Sequence, residues 1–160
     1  MNQNKYFNHE SSIVNKDSDI GSGTKIWHFS HIRERVTIGK NVTIGQNVYI
    51  DKGVVIGDNS KIQNNVSVYN GVTIGKNVFI GPGVTFTNDL YPDVNNWNEE
   101  KIVPTFVEDN VSIGANSTII CGITLSENCL IGAGSVVTKN IESNMIAMGN
   151  PATEIKNRES

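Results

Sequence analysis

The sequence is poor in several things at once. Of its 160 residues only two are cysteine, four are proline and three are histidine. No apolar run approaches the roughly 20 residues needed to cross a bilayer. The opening MNQNKYFNHE lacks the charged start, apolar core and cleavage site of a signal peptide. The expected location is therefore cytoplasmic, with no membrane partner. Thirteen basic against sixteen acidic residues give a formal charge of -3, which offers no basic face and argues against nucleic acid as a partner. Cys121 and Cys129 indicate neither a disulfide framework nor a metal pair by their spacing, so no metal is expected. The length suits one domain, 1–160.

What the sequence has in abundance is a six-residue rhythm. Aliphatic anchors recur from Val14 through Ile20, Ile26, Ile32, Ile38, Ile44, Ile50, Ile56, Ile62, Val68, Ile74 and Ile80 to Phe86, then from Val107 to Val137. Two residues before many anchors stands a second small apolar residue, as in Val42, Val48, Val66 and Cys129. That separation puts both side chains on one face of a strand. Three residues after each anchor, from Asn41 to Gly83 and from Asn110 to Asn140, the residue is Asn or Gly, the types that accept positive φ at least cost. Short strands joined by corners, without hairpins, describe an all-β solenoid of parallel coils.

The coil resembles the left-handed parallel β-helix of hexapeptide-repeat acyltransferases, in which three hexads make one triangular turn. The left hand comes with the resemblance, since the general rule for parallel crossovers favours the right. On this reading the solenoid spans about 14–140, an inserted loop 87–106 and a C-terminal cap 141–160, with a helix as one option for its last residues. The repeat breaks its own rule in three places. Phe29 and Arg35 occupy corner positions, and about fifteen extra residues separate Phe86 from Val107. In a regular solenoid such a loop is usually functional.

Five stretches narrow the resemblance: WHFSHI, IGQNVYI, KIQNNVSVYNGV, FIGPGVTFTN and SIGANSTIICGITL. They look like the branch that N-acetylates nucleotide-linked 3-amino sugars for bacterial surface polysaccharides such as O-antigens and S-layer glycans. The resemblance implies a homotrimer with acetyl-CoA as co-substrate and an active site between neighbouring prisms. It also implies an asparagine contact to the reacting amine, matched by Asn88 in FTND. Asp89 stands beside it as an acceptor or a turn cap. His28 and His31 are the candidate bases of a minority mechanism. Trp27, Gln46, Asn47, Asn64, Asn65, Tyr69 and Tyr91 are candidates for the nucleotide sugar, and Trp97 for docking the loop onto a neighbour. Gly114, Ala115, Gly132, Ala133, Lys139, Asn150 and Pro151 are candidates for coenzyme A.

Several alternatives stay open. Asp93 follows Tyr91-Pro92 where many relatives carry arginine. An acidic residue there disfavours a UDP-linked 2-acetamido-3-amino-glucuronate and favours a dTDP-3-amino-3,6-dideoxyhexose. A sugar O-acetyltransferase would want a histidine beside its loop, and none follows His31. A γ-type carbonic anhydrase needs three zinc-binding histidines across a subunit interface, and the middle coils supply no third. A purely structural solenoid would show a uniform outward ladder, whereas Thr43, Tyr49, Val55, Lys61, Ser67 and Phe79 are irregular.

Overall fold

The computed structural model describes residues 6–158, so the outermost ends of the expected domain and cap lie outside the described residues. The six-residue rhythm becomes a three-sided coil whose short strands fall into sheets of nine, seven and six strands. Face A carries Lys25–Ile26, Thr43–Ile44, Lys61–Ile62 and Phe79–Ile80. Face B carries His31–Ile32, Tyr49–Ile50, Ser67–Val68 and Thr85–Phe86, and face C carries Thr37–Ile38, Val55–Ile56, Val72–Ile74 and Thr105–Val107. Successive coils pair in parallel and in register, so Ile26, Ile44, Ile62 and Ile80 form one inward column. This is the expected all-β parallel β-helix of the left-handed hexapeptide type.

The core is the stack of anchors. Ile26, Ile44, Ile62, Ile80 and Phe86 are wholly buried, as are Val42, Val66 and Val84 in the second inward position. That second position also accepts hydroxyls, which the apolar pattern in the sequence does not anticipate. Buried Ser30 donates to the Gly45 carbonyl at 2.7 Å and accepts from the Val48 amide at 3.1 Å. Ser60 does the same with Gly75 and Val78. A buried hydroxyl is costly only when unpaired, and here each one ties a corner to the coil above.

The corners behave as the pattern requires, with one correction. Asn41, Asn47, Asn59, Asn65, Asn77, Asn110, Asn116 and Asn128 all have φ between 54° and 63°, and Phe29 and Arg35 both sit at 58°. Asn140 does not take the left-handed conformation; Asn144 does, at φ 64°. The reason is a shortened last coil. Asn140 accepts from the Thr124 amide, and Asn128 donates to Asn144, both across 16 residues where regular coils have 18.

Both ends differ from expectation. The coil begins at Phe7 rather than Val14, because Phe7–Asn8 pairs with Lys25–Ile26 on face A; both residues are exposed, so no hydrophobic pattern marks them. The cap is a β-hairpin and not a helix. Met145–Gly149 joins face A in parallel and Ala152–Asn157 returns antiparallel to it. An open sheet edge has unpaired backbone groups, and a returning strand satisfies them where a helix would not. Arg158 then donates to the carbonyls of Asn110, Asn128 and Cys129, each at 3.2 Å.

The corner rule can be tested at Asn77, whose φ is 55° and whose amide donates to Asn110 at 3.2 Å. Asn77→Ala should cost about 1 kcal/mol, because it keeps a β-carbon in the left-handed region and loses the side-chain hydrogen bond that offsets it. Asn77→Gly should cost clearly less, as read from urea denaturation midpoints.

Candidate functional site

The inserted loop leaves the corner between faces B and C. Lys76 and Asp109 pair across 33 residues where Lys40 and Asp58 pair across 18, so the coil absorbs the insertion without losing register. The root is tied by backbone bonds from Val103 to Asn88 at 2.9 Å and from Thr105 to Gly71 at 3.0 Å. A short 3-10 helix, Glu99–Lys101, is capped by the Asn98 side chain. The loop turns down along its own corner, where Lys52 donates its ammonium to Glu99. That bond holds the Glu99 carboxyl below its usual range. Tyr91 and Val94 project into solvent and Trp97 is 53% exposed, so Trp97 is not absorbed into its own coil.

Asn88 and Asp89 stand at the root of this loop, both half-buried. Asp89 Oδ1 accepts from the Tyr91 amide at 2.8 Å. Its Oδ2 is buried without a hydrogen-bond partner, the one such side-chain atom among the described residues. A small depression there is lined by Asp89, Leu90, Tyr91, Lys101 and Val103. Asn88 follows two residues after Phe86, which places it one coil above Asn70, and Asn70 one above Lys52 in the 18-residue register. Asp93 is occupied locally, accepting from the Asn95 amide at 2.9 Å.

Below the loop the same corner holds an ionic cluster that sequence reading missed. Arg33 donates to Glu34, to Asp51 at 3.3 Å and to the Tyr49 hydroxyl at 3.4 Å. Asp51 also accepts from Tyr49 at 3.1 Å and from the amides of Lys52 and Asn70. Tyr49 meets His31 edge-on at 5.8 Å and Tyr69 at 5.7 Å. No motif marks these residues, because each occupies an ordinary outward or corner position and only the stacking brings them together.

Trp27, His28, Gln46, Asn47, Asn64 and Asn65 lie elsewhere, on the corner between faces A and B. The Gln46 amide donates to Asn64 Oδ1 at 2.9 Å and Asn47 Nδ2 to Asn65 Oδ1 at 2.9 Å. At the foot of this ladder Phe7 packs against Trp27 at 5.3 Å and His9 stacks on His28 at 3.6 Å. His31, on face B, is three strand spacings below Thr85, about 14 Å along the axis. Within one chain the expected acceptor residues are therefore divided between two corners.

The residues expected to hold coenzyme A are divided as well. Gly114, Gly132 and Ala133 line a shallow depression of about 260 Å³ with Phe79 and Leu130, and Ala115 lies on the same A–B corner. Lys139 and Pro151 line a different depression, of about 330 Å³, with Glu142 and Glu154. Asn150 is at the turn of the terminal hairpin. Gly114 and Gly132 have a structural requirement of their own: a β-carbon at Gly114 would run into the Ala133 backbone, and one at Gly132 would lie 2.7 Å from Met148 Cβ.

Neither cysteine is placed for chemistry. Both are free and buried, and burial pushes the Cys129 thiol up to about 12 from 9.0. Iodoacetamide at pH 8 should label neither until urea unfolds the chain, as read by mass spectrometry. Because the unfolded thiol loses its proton first, the stabilisation that Cys129 provides as a neutral thiol should fade as pH rises from about 9.0 towards about 12.

Known proteins share this architecture. A model described as bacterial transferase hexapeptide (six repeats) matches residues 17–52 and 53–88. One described as the hexapeptide repeat of succinyl-transferase matches 35–70 and 104–139. Their matches stop and resume on either side of the inserted loop. A maltose O-acetyltransferase from Clostridium difficile 630 is 33% identical, with a TM-score of 0.65, over 72% of this chain and 66% of that one. A hexapeptide-repeat acetyltransferase from Vibrio cholerae complexed with acetyl coenzyme A is 27% identical, with a TM-score of 0.57, over 71% and 69%. A dTDP-3-amino-3,6-dideoxy-α-D-galactopyranose 3-N-acetyltransferase from Aneurinibacillus thermoaerophilus is 50% identical over 48 residues, 30% of this chain and 25% of that protein. The chain spans only 28% and 32% of the lengths of the first two curated relatives it matches.

Proposed function

Because the chain belongs to the hexapeptide-repeat transferases, we propose that it is an acetyl-CoA-dependent N-acetyltransferase acting on the 3-amino group of a nucleotide-linked amino sugar. The observation that carries this reading is the unpartnered, buried Oδ2 of Asp89 beside Asn88. A lone buried acceptor is costly, and an amine brings more than one N–H to meet it. Asn88 and Asp89 together accept from the amine and aim its lone pair at the thioester carbonyl, so that the gain comes from orientation. The nitrogen attacks the carbonyl carbon, the C–S bond breaks, and the amine proton leaves with the thiolate or to solvent. Neither Asn88 nor any histidine is required as the base.

Similarity to the Clostridium maltose O-acetyltransferase favours a second reading, in which a sugar hydroxyl is the acceptor. That chemistry needs a general base near the oxygen, and His31 lies well below the loop root on its own chain. For the nucleotide sugar, a dTDP-3-amino-3,6-dideoxyhexose suits a lid that carries Asp93 better than a UDP-linked amino-glucuronate does. The division of acceptor residues between two corners is resolved in a homotrimer, where the loop corner of one copy meets the A–B corner of the next and Trp97 docks across.

Incubation with acetyl-CoA and a panel of dTDP- and UDP-amino sugars and simple glycosides, followed by free thiol release, tests the class; turnover of glycosides alone would establish the hydroxyl reading. Asn88→Ala should lower kcat on the order of a hundredfold. His28→Asn and His31→Asn should raise KM with kcat held within a few-fold. Loss of turnover in a histidine variant with binding intact would make that histidine the base. Sedimentation should give a trimer, and a fully active monomer would defeat the shared site.

A further inference from the structure

Arg35 plays no part in acetyl transfer as described above, yet it holds a position that costs stability. Its φ of 58° is one that Asn or Gly adopts more cheaply, and the levels above it on the same corner use Gly53 and Gly71. Its side chain is exposed and joins none of the ion pairs among the described residues. One level up, Lys52 is paired only with Glu99, a residue of the lid. The other acids near this corner are already engaged, since Glu34 and Asp51 are both held by Arg33. Lys52 and Arg35 are thus two cations at the foot of the loop corner, and the lid supplies one carboxylate to the pair; the Arg35 charge acts on Glu99 as well.

The level of this pair matters. Lys52, Asn70 and Asn88 occupy successive coils of one corner, so Lys52 and Asn88 are about 10 Å apart along the axis, two strand spacings. A hexose with a diphosphate on C1 and an amine on C3 spans a comparable length. We propose that Lys52 and Arg35 form a diphosphate subsite for the acceptor nucleotide, and that the lid carboxylate of Glu99 occupies it until the diphosphate displaces it. The inference rests on the nucleotide-sugar reading above. A diphosphate carries more charge and more acceptor oxygens than a carboxylate, so it wins the exchange and frees the lid to rearrange over the sugar.

Calorimetric titration of the full chain at low salt, with dTDP, UDP, inorganic pyrophosphate and coenzyme A as separate probes, tests this. Arg35→Asn and Lys52→Met should each weaken dTDP and pyrophosphate about threefold or more, an effect that shrinks as salt rises. Glu99→Gln should tighten both, because the internal competitor is gone. Arg35→Asn restores the residue type the repeat itself uses at corners, so its melting temperature should not fall and weakened binding cannot be blamed on unfolding. Coenzyme A affinity should be unchanged in all three. Nucleotide binding indifferent to the three variants would overturn the subsite while leaving the nucleotide-sugar reading intact. Pyrophosphate following the expected pattern, with no nucleotide bound, would sink that reading and keep the subsite. Coenzyme A affected in place of dTDP, or Glu99→Gln weakening binding as Lys52→Met does, would also overturn the proposal.

Discussion

Each coil of this protein rests on the next through backbone hydrogen bonds between two-residue strands, and such strands stay aligned only if the chain turns one triangular corner every six residues. A single residue with positive φ makes that turn. The asparagines and glycines of the corners, the isoleucine columns inside and the buried serines that tie one corner to the next all serve this one condition. Even the glycines before the corners follow from it, because stacked corners approach so closely that a β-carbon at Gly114 would meet the backbone above. Small residues that suggest a ligand in the sequence are already accounted for by the coil itself.

A solenoid built this way has its interior filled and its chemistry confined to the outside of faces and corners. The molecule therefore distributes its exposed polar and aromatic groups by corner. One carries the Asn and Gln ladder with the aromatic and histidine stack at its foot; another carries the inserted loop, the Asn88–Asp89 root and the charged cluster beneath it. Between them face B presents His31, Tyr49 and Tyr69. The core lends these groups rigid spacing; the outward strand positions are free of its packing, whereas corner residues such as Asn47 and Asn65 stay bound to their positive φ.

The fold was almost wholly legible in the residues, because Ile, Val, Asn and Gly at fixed spacing state both the inward direction and the corner. Legibility failed where the pattern has no hydrophobic signature. Phe7–Asn8 joins face A while exposed. The last coil drops two residues at the corner after Val137, so Asn140 makes no left-handed turn there, while Asn144 makes the next corner above Asn128. The cap pairs as a hairpin because the edge of face A demands backbone partners, which side-chain pattern does not record. For the site, the register correctly puts the loop above Tyr69-Asn70-Gly71 and Trp27 below Gln46. The same register already assigns them to different corners; what the sequence could not convey is that Lys52 and Glu99, 47 residues apart, meet.

The unbroken 18-residue register has a further consequence for how such a molecule can change. Height along the axis is counted in whole strand spacings of about 4.8 Å, and any two groups on one corner are separated by an integer number of them. The chain is in effect a ruler with backbone graduations. Inserting or deleting one complete coil between Lys52 and Asn88 would move the two marks by one graduation, while each kept its corner, its orientation and the neighbours within its own coil. The Lys52–Glu99 contact, which bridges the two levels, would be the one lost. Distance between sites is then inherited independently of the sites themselves, a freedom that a globular core, where every displacement is felt by all neighbours, does not offer.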